Sequence, residues 1–225
     1  MVLHALVIRR PAHHQPTRSR RTSAGGSSAV RAALAERGFW LLALGFTAHT
    51  AAISAVGVHL IAALISYGHR PTFAASIAGL LGVLSVAGRL LTTGLHRRYR
   101  TTTVTAAVFT VQATAALMLP LLGASTGGAI GAVIGFGIGF GVATIAKPVL
   151  LTERYDTRRY ATLAGILIVP MTLAKAAAPL TAAALHGNTG SYTSVFTAVA
   201  VCCALGAAAI AAVDATKEVT PPRVA

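Results

Sequence analysis

Residues 128–151 read GAIGAVIGFGIGFGVATIAKPVLL, with Lys147 the single charge in 24 positions. Wound as an α-helix, that stretch rises about 36 Å at 1.5 Å per residue, enough to cross the ~30 Å of hydrocarbon in a bilayer. Five more apolar runs of similar length lie at about 39–65, 72–95, 101–122, 161–185 and 192–213, with charge, Gly, Pro and Ser marking the loops between them. Hydrophobic residues make up 55% of the 225 residues and charged residues 11%, with mean hydropathy +0.70. A soluble domain carries roughly a quarter charged residues, so water is not the main solvent here. The expected fold is an all-α membrane protein in which residues 39–213 form six transmembrane helices. A basic, disordered segment (1–38) precedes them and a tail (214–225) follows.

The formal charge of +14 would suggest a nucleic-acid partner in a soluble protein. Its placement argues otherwise. No aromatic-interleaved basic sheet or recognition helix accompanies it, and the cations gather on alternate loops, as the positive-inside bias produces. The N-terminal segment, the loop holding Arg97, Arg98 and Arg100, the loop holding Arg154, Arg158 and Arg159, and the tail together carry fifteen Lys and Arg, against Arg70 alone on the other side. An even number of spans puts both termini on the cation-rich side, so both are expected in the cytoplasm of a bacterial plasma membrane. The opening residues Met1 to Ile8 are apolar, but Arg9 and Arg10 follow rather than precede them, the reverse of a secretory signal. Trp40 and all five tyrosines fall at span ends, where an aromatic ring with a polar tip meets the headgroups. All five acids also lie outside the spans, as the desolvation cost of a lone carboxylate requires.

Three cations remain inside spans: Arg89, Lys147 and Lys175. Lys147 lies about four residues from the cytoplasmic end of span four, where its stem reaches the headgroups, so it is read as a snorkelling side chain. Arg89 is deeper in span two, and Lys175 stands near the middle of span five between Pro170 and Pro179. Arg89 is read as an anion-binding or gating contact inside the bundle and Lys175 as facing a polar cavity or a buried partner; with no acid in the spans, that partner is a substrate anion, a carbonyl or another polypeptide. His49 near the middle of span one and Gln112 in span three are further pathway candidates, weighed against simple hydrogen bonding between helices. His59 carries the same two readings. Gly131, Gly135, Gly137, Gly139 and Gly141 follow small-xxx-small spacing, suited to close helix packing and to rocking of one helix on another.

Enzyme chemistry has no foothold: there is no HExxH, no phosphate-binding loop and no GxSG nucleophile motif. Adjacent Cys202 and Cys203 make neither a metal site nor a disulfide framework, and no cofactor is implied.

The stretch GLLGVLSVAGRLLTTGLHRRY at residues 79–99 resembles the eighth helix and following cytoplasmic loop of major facilitator superfamily transporters, with Gly88-Arg89 and the basic loop as the shared features. ERYDTRRYATLAG at residues 153–165 resembles the loop between helices ten and eleven of that family, and glycine-rich span four resembles helix ten. The resemblance covers residues 39–213 and implies helices seven to twelve, the C-terminal half of a bundle whose halves are each two inverted three-helix repeats. Two departures stand out. Arg97 occupies a position where the family usually has an acid, and Ser85 stands where monocarboxylate-transporter relatives have an aspartate four residues before the arginine. Met1 to Arg10 resembles the end of a sixth helix, so a truncated or split transporter is the expectation.

The function expected from this likeness is secondary transport of a small solute, an organic anion, by alternating access. The implied partners are the lipid bilayer, the solute, and a second six-helix half or a homodimer. A non-transporting scaffold or inactive remnant is the competing expectation, and it predicts that replacing Lys175 or Arg89 with Leu changes nothing.

Overall fold

The computed structural model describes residues 30–155 and 157–216. The helices are α1 (Arg37–Ser66), α2 (Pro71–Leu95), α3 (Thr101–Leu122), α4 (Thr126–Ile138), α5 (Val142–Arg154), α6 (Thr157–Thr189) and α7 (Tyr192–Ala215). A 3₁₀ turn, Gly139–Gly141, joins α4 to α5 as one crossing, so six candidate membrane spans result: α1, α2, α3, α4–α5, α6 and α7.

Local chemistry sets the ends. Pro71 opens α2, where its missing N–H is no loss. The Ser125 and Ser191 hydroxyls cap α4 and α7 by accepting from the amides of Gly128 and Thr193, both at 3.1 Å. Beyond α1 the chain reverses through Gly68 at φ 98°, a left-handed position that favours glycine. There the His69 and Gly68 amides donate back to the carbonyls of Leu64 and Ile65, closing a Schellman motif.

One expectation changes at the N-terminus. The basic segment was expected to stay disordered to residue 38, yet residues 30–35 are helical and α1 begins at Arg37. Val30, Ala33 and Leu34 repeat at helical spacing and pack on the core, and Trp40 Nε1 donates to the Leu34 carbonyl at 2.8 Å. Residues 1–29, including the stretch read as the end of a sixth helix, lie outside the described residues, as does the tail from 217.

Span one packs on spans five and six, span four on spans two and three, and span three on span six. Exchanging one with four, two with five and three with six turns this arrangement into itself. Each triplet holds an odd number of crossings, so the second enters the membrane from the side opposite to the first: two inverted three-helix repeats. Small residues sit at the crossings. A β-carbon on Gly45 would lie 3.3 Å from the Gly206 carbonyl, joining spans one and six, and one on Gly135 would lie 3.1 Å from Ala115 Cβ, joining the equivalent pair four and three. Burial is uneven: half of the apolar window of spans four and six is buried, against 28% for span two and 11% for span five.

Candidate functional site

Proline has no N–H, so it leaves the carbonyl four residues earlier without its helical donor. In α6, Pro179 does this to Lys175. The Ser54 hydroxyl of α1 donates to the Lys175 carbonyl at 2.7 Å, and His59 Nε2 donates to the Pro179 carbonyl at 3.0 Å. A polar seam thus fastens span five to span one at the depth of Lys175. In α5, Pro148 frees the Thr144 carbonyl in the same way, while the Thr144 hydroxyl turns back onto the Gly141 carbonyl at 2.6 Å.

Between these elements lies a cleft of about 190 Å³, lined by His49, Thr50, Ile53 and Ser54 of α1, Phe140 of the 3₁₀ turn, Ala143, Thr144 and Lys147 of α5, and Met171 and Lys175 of α6. Two lysines share it and, among the described residues, no acid lines it. Lys147 is half-buried and Lys175 exposed, and among the described residues neither ammonium has a hydrogen-bond or ion-pair partner. Read along its own helix, Lys147 is expected to snorkel to the headgroups; the structure puts it on the lining of the same cleft as Lys175. A larger groove of about 580 Å³ runs between α3 and α7, but alanines and threonines line most of it and its one charged group is Asp214.

His49 and Gln112 meet. His49 Nε2 lies 2.9 Å from Gln112 Oε1, and Gln112 Nε2 donates to the Phe136 carbonyl at 2.9 Å. Both residues are fully buried, and the His49 ring stacks on Phe109 at 3.9 Å. The chain of bonds ties spans one, three and four together beside the 3₁₀ turn. Gln112 explains part of that turn: its amide takes up the Phe136 carbonyl, and a β-carbon on Gly139 would overlap the same amide. His49 reaches the edge of the cleft, whereas Gln112 lies behind it.

Arg89 is not brought to the cleft. Its guanidinium lies 3.4 Å from Ser85 Oγ on its own helix and runs along Gly141, where a β-carbon would come within 2.7 Å of Arg89 Cγ. The glycines divide by face. Gly135 and Gly139 meet span three, Gly137 meets Leu84 of span two, and Gly141 meets Ser85 and Arg89. Gly131 meets nothing within 4 Å, so close packing does not account for it. Gly88 is the tighter position: a β-carbon there would collide with the Ile138 carbonyl, so the crossing of spans two and four requires glycine.

At the cation-rich end the charges find partners. Arg100 pairs with Asp214 at 3.0 Å; Arg154 lies 3.6 Å from Glu36 and donates to the Val213 carbonyl at 3.0 Å and to Thr216 Oγ1 at 2.7 Å. Thr101 donates to Glu153 at 2.9 Å and Thr102 to Asp214 at 2.5 Å. Carboxylates from the ends of α5 and α7 therefore sit on the N-terminus of α3, whose dipole favours negative charge and which has no side-chain cap of its own. Burial pushes the Tyr155 hydroxyl up to about 12, aided by the Glu36 carboxylate and opposed by Arg154. Burial also lowers the affinity of His96 for a proton, with Glu153 acting against it.

The model of the Major Facilitator Superfamily matches residues 1–179, beginning ahead of the stretch whose motifs resemble the family and ending within α6. No curated protein matches the chain. With most of its length matched and its six spans arranged as two inverted triplets, the chain belongs to the Major Facilitator Superfamily of membrane transporters and is not an enzyme.

Proposed function

We propose that these six spans are helices seven to twelve of an alternating-access transporter and that they carry a small organic anion past the cleft between spans one, four and five. The observation that carries this reading is Lys175, a cation at mid-span that shares with a second lysine a cleft lined, among the described residues, by no acid. An intramembrane charge is costly unless something pays for it, and an anion in transit is the partner the spans themselves lack. The low burial of spans two and five supports a second six-helix half against them, supplied by further chain or by a second copy. Span four supplies the moving part: a 3₁₀ turn inside a long helix is a frequent hinge, and Phe140 of this turn lines the cleft. Both termini lie in the cytoplasm of a bacterial plasma membrane in this reading. Its support is the loop cations and the meeting of the start of α1 with the ends of α5 and α7 at one end of the bundle.

Reconstitution of the purified chain in liposomes tests the proposal. Counterflow of labelled organic anions above that of empty liposomes is expected. Uptake no greater than in empty liposomes, from protein shown to be folded and inserted, would end the transport reading.

A further inference from the structure

The cleft offers a ligand a narrow choice of chemistry. Its three hydroxyls are already committed as donors: Thr50 to the Phe46 carbonyl at 2.6 Å, Ser54 to the Lys175 carbonyl at 2.7 Å and Thr144 to the Gly141 carbonyl at 2.6 Å. His49 has its Nε2 engaged by Gln112. What remains free to donate is the pair of ammonium groups, three N–H each, on helices that face one another across about 190 Å³. That volume is below the usual range for drug-sized ligands, so the occupant is compact.

Charge decides the valence. Two like charges in a weakly polarisable site repel one another, and a single carboxylate would neutralise one and leave the other unbalanced. Two anionic groups on one short skeleton would give each ammonium its own partner. We infer that the cleft binds a compact organic dianion, such as a short dicarboxylate, held at one end by Lys147 and at the other by Lys175. The inference rests on the transport reading for its physiological meaning, but its test does not need flux. A lipid phosphodiester, singly charged, is the competing occupant for Lys147, which lies nearer the cation-rich end of its span.

The test titrates the full chain, purified in a neutral detergent, with malonate, succinate and sulfate as dianions and with butyrate as a monoanion, reading affinity by calorimetry and thermal shift. Malonate or succinate is expected to bind about 10-fold more tightly than butyrate, the equivalent of one added charge-assisted contact, and preference for sulfate alone would count against the two-ended site. Lys147→Gln and Lys175→Gln should each remove that preference while leaving the unligated protein folded. Arg70→Gln, on the opposite loop, should leave it intact. Butyrate binding as tightly as every dianion would overturn the inference. So would a Lys147→Gln chain that keeps the full preference, or displacement of the dianion by phosphatidylglycerol at equal concentration. The two readings fail separately. Dianion binding without counterflow would sink transport and leave this site standing; counterflow of a solute with no dianion preference would sink the site and leave transport.

Discussion

The cation-rich end of the bundle and the cleft at mid-membrane use the same kinds of side chain in opposite ways. At the end, Arg100 and Arg154 each reach an acid, and the carboxylates of Glu153 and Asp214 are further held by threonine hydroxyls at the start of α3. In the cleft, Lys147 and Lys175 reach none among the described residues. Water and headgroups screen the first set, so its pairs fasten helix ends together at modest gain. The second set has no such partner among the described residues, and a charge within the membrane is expensive unless its stem reaches the headgroups or something outside the chain balances it. Paired charge here holds the fold, and unpaired charge marks where a ligand is expected.

The largest effect should come from the cleft. Lys175→Leu is expected to cut counterflow by roughly two orders of magnitude, as truncation of one member of a desolvated charge contact does. Its melting temperature should stay level or rise, because a charge at mid-span gives way to an apolar side chain. Equal flux from the variant would erase the distinction between the two regions. Between them lies the His49–Gln112–Phe136 chain, which belongs to the paired class although it is buried. Gln112→Leu should lower stability by about 2–3 kcal/mol in detergent melts, since it strands the His49 ring nitrogen and one of the bonds to the Phe136 carbonyl.

At the paired end the effects should be smaller and graded by burial. Arg154 is 10% exposed and reaches three residues at the ends of two other helices, so Arg154→Ala should cost about 1–3 kcal/mol. Arg100 is 65% exposed, so Arg100→Ala should cost less than about 1 kcal/mol, and added salt should shrink the difference. Neither should abolish counterflow. The smallest effect concerns alkali. With its hydroxyl pushed up to about 12 by burial, Tyr155 leaves stability untouched below pH 10 and costs the fold increasingly as pH rises toward 12, because the unfolded chain ionises first. Its hydroxyl is buried without a partner, so Tyr155→Phe should match the parent at neutral pH and outlast it between pH 10 and 12.

The spans were legible because lipid imposes a length and a polarity on each run, and the loop cations then sorted the ends. Lys175 stood out too, from its depth between two prolines, and it lines the cleft. The rest depended on which way a helix faces. Three residues of 3₁₀ geometry turn about 120° each instead of 100°, so Gly139–Gly141 rotates everything after it by about 60° relative to an unbroken helix. That rotation bears on where Lys147 points, and no count of residues to the span end contains it. Arg89, singled out by its depth, stands outside the lysine cleft, with its guanidinium by Ser85 and Gly141. One signal was available and carried more than its spacing suggested. A proline four residues after Lys175 leaves a carbonyl that needs a donor, and Ser54 on span one supplies it.

Whether the lysine cleft is a watered path or a lipid-facing crease can be read directly by thiol labelling. In a chain with Cys202 and Cys203 replaced by Ala, single cysteines at cleft positions (Thr144→Cys, Met171→Cys) would be compared with Val201→Cys, which is exposed on α7 away from the cleft. A charged, membrane-impermeant methanethiosulfonate reagent should modify the cleft cysteines in intact membranes and leave position 201 unmodified, with succinate slowing the reaction. Cleft cysteines that react no faster than the one at 201 would contradict the account.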